Sequence, residues 1–150
     1  MPTGSIASPL GPLFVSVDGE AITKLSWLGE GDDNHPLIDE TARQIDRYFR
    51  RELTEFQLPL APECSDAQKR FCNALLSIPY GETKTYRQMA KELGISAQAA
   101  GQACGGNPIA ILIPCHRVIG SGHLGGFSAP DGIEKKVELL KLERAASLLI

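Results

Sequence analysis

No apolar run in the sequence is longer than about five residues, Ile109-Ala110-Ile111-Leu112-Ile113 among them, against the roughly 20 that a bilayer-spanning helix needs. A membrane span is therefore excluded. The start, MPTGSIASPLGPL, lacks the basic region and apolar core of a secretory leader, so no signal peptide is read. The expected location is a reducing compartment: the cytoplasm, at the nucleoid of a prokaryote or in the nucleus of a eukaryote. Cysteine is sparse. Cys64, Cys72, Cys104 and Cys115 stand 8, 32 and 11 residues apart with no CxxC or HxxxH pair, so they are expected as free thiols with no metal bound. Internal repeats, low-complexity tracts and a GxGxxG fingerprint are also missing. What remains is an ordinary globular composition: 150 residues, 43% hydrophobic and 22% charged. That length can bury about 70% of the unfolded chain's surface, in one large domain or two small ones.

Charge is divided along the chain. Residues 1–63 carry 5 Lys+Arg against 11 Asp+Glu, a net −6, and residues 64–150 carry 10 against 7, a net +3. The second half is the one that could face phosphates, although so small an excess is common in domains that bind nothing anionic. The stretch Pro59-Leu60-Ala61-Pro62 marks a linker. We therefore expect an N-terminal α/β subdomain over 1–62 and a C-terminal domain over 63–150.

In the first half, Leu13 to Val17 and Ile22 to Trp27 flank Asp18-Gly19 as a β-hairpin. Ile38, Ala42, Ile45, Tyr48 and Phe49 recur at helical spacing. In the second half, Ala67 to Ile78 has helical phase and Pro79-Tyr80-Gly81 stops it. Thr85-Tyr86-Arg87-Gln88 fits a capping box opening a short helix that Gly94 ends, and Ser96 can cap a second helix running to Gly105. Two short helices with a Gly-containing turn make a helix-turn-helix signature, though plain helix packing fits as well. The second helix carries Ala97, Ala99, Ala100, Gly101 and Ala103 rather than an Arg and Asn array. Such a slim helix suits a narrow minor groove and little sequence preference.

Ile109 to Ile113 is expected as a buried strand delivering Pro114-Cys115-His116-Arg117-Val118. A thiol beside a proton acceptor and a cation is a candidate nucleophile. Read alone, the pair fits an inert buried cysteine beside a surface histidine better, since neighbouring side chains on an extended segment face opposite ways. In Ile133 to Arg144 the stripe Ile133, Val137 and Leu140 brings Lys136 and Glu143 near the core side, where Glu143 could hold His116; by itself it fits a solvated helix end.

Taken in order, Ile78-Pro79-Tyr80-Gly81-Glu82-Thr83, Thr85-Tyr86, Asn107-Pro108, Ile113-Pro114-Cys115-His116-Arg117-Val118, Gly122, and Lys136 through Leu139-Leu140 to Glu143 resemble the O6-alkylguanine-DNA alkyltransferases, also called methylated-DNA-protein-cysteine methyltransferases. The match covers roughly residues 65–146, and the N-terminal segment looks like the family's less distinctive first domain. The resemblance implies an α+β fold: a small N-terminal α/β subdomain with a β-hairpin, plus a mainly helical, winged-helix-like DNA-binding domain carrying the active-site cysteine. It implies stoichiometric repair, in which Cys115 takes the alkyl group from O6 of a guanine flipped out of duplex DNA. His116 would act through a water as base, Glu143 would orient it, Tyr86 would assist proton delivery to the departing guanine, and Asn107 would brace the turn. DNA contacts would come from Thr85, Ala97, Gln98, Ala99, Gly101, Arg117 and Ser121, with Arg117 also structural. Tyr86, Val118, Phe127, Ser128, Ala129 and Lys136 would line the substrate pocket. No cofactor and no membrane are implied, and the working form would be a monomer on double-stranded DNA.

The sequence departs from that pattern in places. Gln98 stands where the family usually has an intercalating Arg, and lacks its charge and stacking plane. Phe127-Ser128-Ala129-Pro130 replaces the usual Tyr-Ser-Gly-Gly. Two other readings remain: a damage sensor of the alkyltransferase-like kind, which usually lacks the cysteine, and a helix-turn-helix regulator with a reactive thiol.

Overall fold

The structure, a computed structural model, describes residues 1–120 and 132–144. The chain divides into two compact units, Met1–Glu63 with Pro108–Leu112, and Cys64–Asn107 with the residues from Ile113 on.

The first unit is an antiparallel meander under one helix. Strands β1 (Thr3–Ile6), β2 (Leu13–Asp18) and β3 (Ala21–Ser26) pair in chain order. Burial alternates along β2: Leu13, Val15 and Val17 are buried, and Ile22 and Leu25 answer from β3. Each such side chain contributes about 1.5–3 kcal/mol by leaving water. The hairpin loop sits one residue later than expected, because Asp18 still pairs with Ala21 and Gly19, at φ 63°, opens the turn. Strand β1 is an element that the sequence reading missed, its run of Thr, Gly and Ser being too polar to signal a strand.

Helix α1 (Pro36–Phe49) starts where Pro36 supplies a preset φ and His35 Nδ1 accepts from the Leu37 amide at 3.0 Å. Its buried face is Ile38, Thr41, Gln44, Ile45 and Tyr48. Helix and strand approach closely at Gly4, where a Cβ would stand 2.7 Å from the Asp33 carbonyl oxygen and 3.1 Å from Ile38. The outer edge of β3 is covered by two single-residue parallel bridges, Leu60 to Ile22 and Ile109 to Leu25. Leu25 donates to the Pro108 carbonyl at 3.0 Å and accepts from the Ala110 amide at 2.9 Å. This pairing groups Pro108–Leu112 with the first unit and leaves less of the sheet edge unpaired.

Ile109 to Ile113 is therefore not a strand. One bridge is followed by a buried turn with Ile111 in the left-handed region at φ 67°, which costs a β-branched residue roughly 1–2 kcal/mol. The apolar run is buried, as its composition predicts, but turns rather than extends, because burial is visible in composition and a turn between Pro108 and Pro114 is not.

The second unit is mainly helical. It holds α2 (Asp66–Leu76), α3 (Tyr86–Leu93), α4 (Ala97–Gly105) and α5 (Gly132–Leu142), with two-residue strands β4 (Lys84–Thr85) and β5 (Val118–Ile119) paired in parallel. The capping box is formed: Thr85 Oγ1 accepts from the Gln88 amide at 3.1 Å and Gln88 Oε1 accepts from the Thr85 amide at 2.8 Å. Gly94, at φ 66°, ends α3, and Ser96 caps α4. The two helices pack on each other through this turn. Among the described residues no helix is long and apolar enough to cross a membrane.

Candidate active site

After Pro114 the chain makes one turn of 3₁₀-helix, Cys115–Arg117, against α2 and α5. A tight turn, unlike an extended segment, does not send neighbouring side chains to opposite faces, and here Cys115, His116 and Arg117 are all buried. The surface histidine allowed for by an extended reading does not occur.

Glu143, one residue past α5, is the centre of the cluster. Its Oε2 lies 2.7 Å from His116 Nε2, and Arg117 donates to it twice, from Nε to Oε1 at 2.8 Å and from Nη2 to Oε2 at 3.0 Å. Arg117 Nη1 donates to the Ile78 carbonyl at 2.7 Å, and its guanidinium lies 5.8 Å from the Tyr80 ring centroid. Glu143 is no solvated helix end. Burial pushes its carboxyl up, but the hydrogen bonds and charges of His116 and Arg117 outweigh burial and hold it down at about 2. An ionised carboxylate only accepts, so His116 Nε2 carries the proton. Burial lowers the His116 pKa, opposed by Glu143 and assisted by the charges of Arg117 and Lys136. The imidazole is thus neutral near pH 7, with Nδ1 as its basic lone pair; Nδ1 has no hydrogen bond among the described residues.

Burial raises the Cys115 thiol, while a hydrogen bond from Asn107 and the charge of Lys136 lower it. The net shift is upward, so the resting group is a thiol and needs a base to become a nucleophile. Asn107 also fixes the preceding turn, its Nδ2 donating to the Ile113 carbonyl at 2.8 Å. Tyr86 opens α3, and burial, with Cys104 and Cys115 nearby, pushes its phenol up to about 12. Lys136 is fully buried on α5, donating to the Val118 carbonyl at 2.6 Å and to Tyr86 Oη at 3.3 Å. The buried side of α5 is Lys136, Leu139 and Leu140, continued by Glu143, with Val137 only half-buried.

Other expected residues fall elsewhere. Ala97, Gln98 and Gly101 are exposed on α4, and Ala99 is half-buried. Arg117 departs from its expected DNA contact: its side chain is 9% exposed and committed to Glu143 and Ile78, so it presents no guanidinium to phosphates. The Thr85 hydroxyl is engaged in the cap. Ser121, Phe127, Ser128 and Ala129 lie outside the described residues. Sequence reasoning missed the joint hold of Arg117 and His116 on one carboxylate, and the contact of Lys136 with Tyr86. Their separations of 26 and 50 residues leave no periodic signal. Among the described residues, no three His, Cys, Asp or Glu side chains cluster as metal ligands.

The chain is similar to known proteins in both halves. Residues 66–145 match the family described as 6-O-methylguanine DNA methyltransferase, DNA binding domain, and residues 1–62 match its ribonuclease-like domain. The methylated-DNA-protein-cysteine methyltransferase of Methanosarcina acetivorans is 40% identical over 148 residues, 91% of this chain and 94% of that one. Its counterpart from Mycobacterium bovis is 43% identical over 152 residues, 94% of this chain and 91% of that one. The crystal structure of Mycobacterium tuberculosis OGT in complex with DNA superposes with a TM-score of 0.87 at 40% identity, covering 96% of this chain and 93% of that chain. Matched in both halves, over nearly its whole length, the chain belongs to the 6-O-methylguanine DNA methyltransferase family.

Proposed function

We propose that this protein repairs DNA by transferring an alkyl group from O6-alkylguanine to Cys115, acting as a monomer and spent after one turnover. The thiol proton passes through a water to His116 Nδ1. The sulfur then attacks the alkyl carbon; the S–C bond forms as the C–O6 bond breaks, and the electron pair left on guanine is neutralised by the proton that the thiol gave up. Tyr86 donates a hydrogen bond to the departing base, and Asn107 holds the turn that presents Cys115. Such a step needs no cofactor, because the damaged base brings the alkyl group itself. Its demand is positional, with sulfur and carbon in line and the base out of the stack.

The observation that carries this reading is the buried Glu143 carboxylate on His116 Nε2, 2.7 Å away. It fixes the tautomer that leaves Nδ1 basic, next in sequence to a thiol that burial keeps protonated. That is the orienting logic of a nucleophile-base-acid relay. The DNA face is the exposed side of α4, with Ala97, Gln98 and Gly101. A Cβ at Gly101 would meet nothing within 4 Å among the described residues. Nothing in their packing requires a glycine there, though it costs the helix about 1 kcal/mol relative to alanine; a minor-groove partner would reward it. Its working place is the cytoplasm, or wherever the DNA is held under reducing conditions.

The test is to mix the protein with a duplex carrying one O6-methylguanine and to record its intact mass, followed by peptide mapping. The expected result is one added methyl on the peptide containing Cys115. Duplex binding without mass gain would favour the damage-sensor reading, for which the exposed, uncharged Gln98 in place of an arginine leaves room.

A further inference from the structure

The helix that meets DNA on the reading above carries no charge. Among the nine residues of α4, Ala97–Gly105, there is no acidic or basic side chain, whereas affinity for a duplex rests largely on cations that neutralise phosphates. Those cations have to come from its neighbours. A helix lying along a groove of the duplex has a sugar-phosphate strand on either flank, so the residues beside α4 are the ones placed to meet it. The exposed face of Ala97, Gln98 and Gly101 leads at Gln102 into a cleft of about 480 Å³ between α4, α2 and the end of α3. Its apolar lining includes Phe71, Leu93 and Ala103, and Arg70 is the cation in it.

Arg70 is exposed on α2. Asp66 stands one turn before it, at the spacing of a helical ion pair, yet Arg70 forms no hydrogen bond or ion pair among the described residues. Glu92, the acidic residue of the lining, is held by Lys84 Nζ at 2.8 and 2.9 Å, so its charge is already answered. The Gln102 amide offers a neutral donor from the α4 side. We propose, resting on the alkyl-transfer reading above, that this cleft is a phosphate seat: Arg70 binds a backbone phosphate of the duplex, with Gln102 donating to it from α4, and supplies the anchor that the uncharged helix lacks. A guanidinium suits the task because its planar fork meets two phosphate oxygens at once. Such a contact fixes register and carries no base information, so it serves undamaged and damaged DNA alike.

The experiment is duplex affinity by fluorescence anisotropy from about 50 to 200 mM salt, with wild type, Arg70→Gln, Arg70→Lys and, as a control, Lys24→Gln, which removes an exposed cation of β3. Each variant is checked by thermal melting. Arg70→Gln should lower the slope of log affinity against log salt by about 0.9 and weaken binding about five- to tenfold near about 0.1 M salt. The factor should be the same on an undamaged duplex and on one carrying O6-methylguanine. Arg70→Lys should keep the wild-type slope while losing part of the affinity, since it keeps the charge and gives up the fork. Lys24→Gln should match wild type. An unchanged slope in Arg70→Gln would overturn the phosphate seat, as would a slope lost in Arg70→Lys, a loss confined to the damaged duplex, or an equal loss in Lys24→Gln. Wild-type protein that binds no duplex overturns the repair reading and this inference with it, whereas wild-type binding and methyl transfer with no effect of Arg70→Gln removes this inference alone.

Discussion

The two units bury different things. The polar side chains buried in the first are Thr23, Thr41 and Gln44, all uncharged, whereas those in the second are His116, Arg117, Lys136 and Glu143. The first unit also has the greater formal charge, a net −6 over residues 1–63 against +3 over the rest, yet none of its charged side chains is among those buried. It is a sheet and helix held by apolar packing, with charge on the outside, as stability alone would have it. The second gives up stability to keep four ionisable groups dry around one thiol. Buried charge is a weak source of stability and a frequent mark of a reacting site. On the alkyl-transfer reading proposed above, the unit that buries these charged groups is the one that does the chemistry.

Substitutions can break or sharpen that contrast. The largest effect is expected at Cys115, where Cys115→Ser should abolish methyl transfer by mass spectrometry while duplex binding stays nearly unchanged. Retained transfer would remove Cys115 as the acceptor. Glu143→Gln should destabilise the fold by about 3–5 kcal/mol in denaturant unfolding, since it leaves Arg117 and His116 around an uncharged partner.

The same carboxyl predicts a pH dependence. Its folded pKa of about 2 lies below its ordinary 4.5, so the unfolded state takes up the proton first. The stability that Glu143 contributes is complete above pH 4.5 and is lost as pH falls from there towards 2. Melting curves of wild type and Glu143→Gln should therefore converge over that acid range; parallel curves would count against the pair.

A smaller effect is expected at Gln98→Arg, which should speed repair of duplex substrates about threefold, one cation over a base being worth roughly 0.5–1 kcal/mol. It should leave reaction with free O6-benzylguanine unchanged, and equal gains on both would show that base flipping is not limited here. At Gly101→Ala the two properties should part: thermal stability rises by up to about 1 kcal/mol, and duplex affinity falls. The smallest effect belongs to the first unit. The Thr41 hydroxyl donates to the Leu37 carbonyl at 2.7 Å, in the first turn of α1, so Thr41→Val should shift unfolding by less than about 1 kcal/mol.

Elements with a local cause were legible. The Thr85–Gln88 capping box, Gly94 as a stop and Ser96 as a cap follow from interactions within a few residues, and each is where the pattern put it. The failures share a cause as well. Strand β1 and the β4–β5 pair exist because distant backbone supplies partners. Ile109 to Ile113 became a turn because Leu25 binds Pro108 and Ala110 across more than eighty residues.

For the site, the sequence alone determined which groups were available: a thiol, an imidazole and a guanidinium in a row after a proline, a carboxylate and a lysine on one side of the last helix. Left to local reasoning, those residues fitted an inert cysteine, a surface histidine and a solvated glutamate. Only the tertiary structure decided otherwise. It carried Glu143 across 27 residues to His116 Nε2 and closed Arg117 onto the same carboxylate. It also seated the Lys136 ammonium on the Tyr86 hydroxyl. Propensity and periodicity reach one turn of helix or one pair of strands. The protonation state and aim of a buried group depend on the charges and dipoles surrounding it in space, which the order of residues does not place.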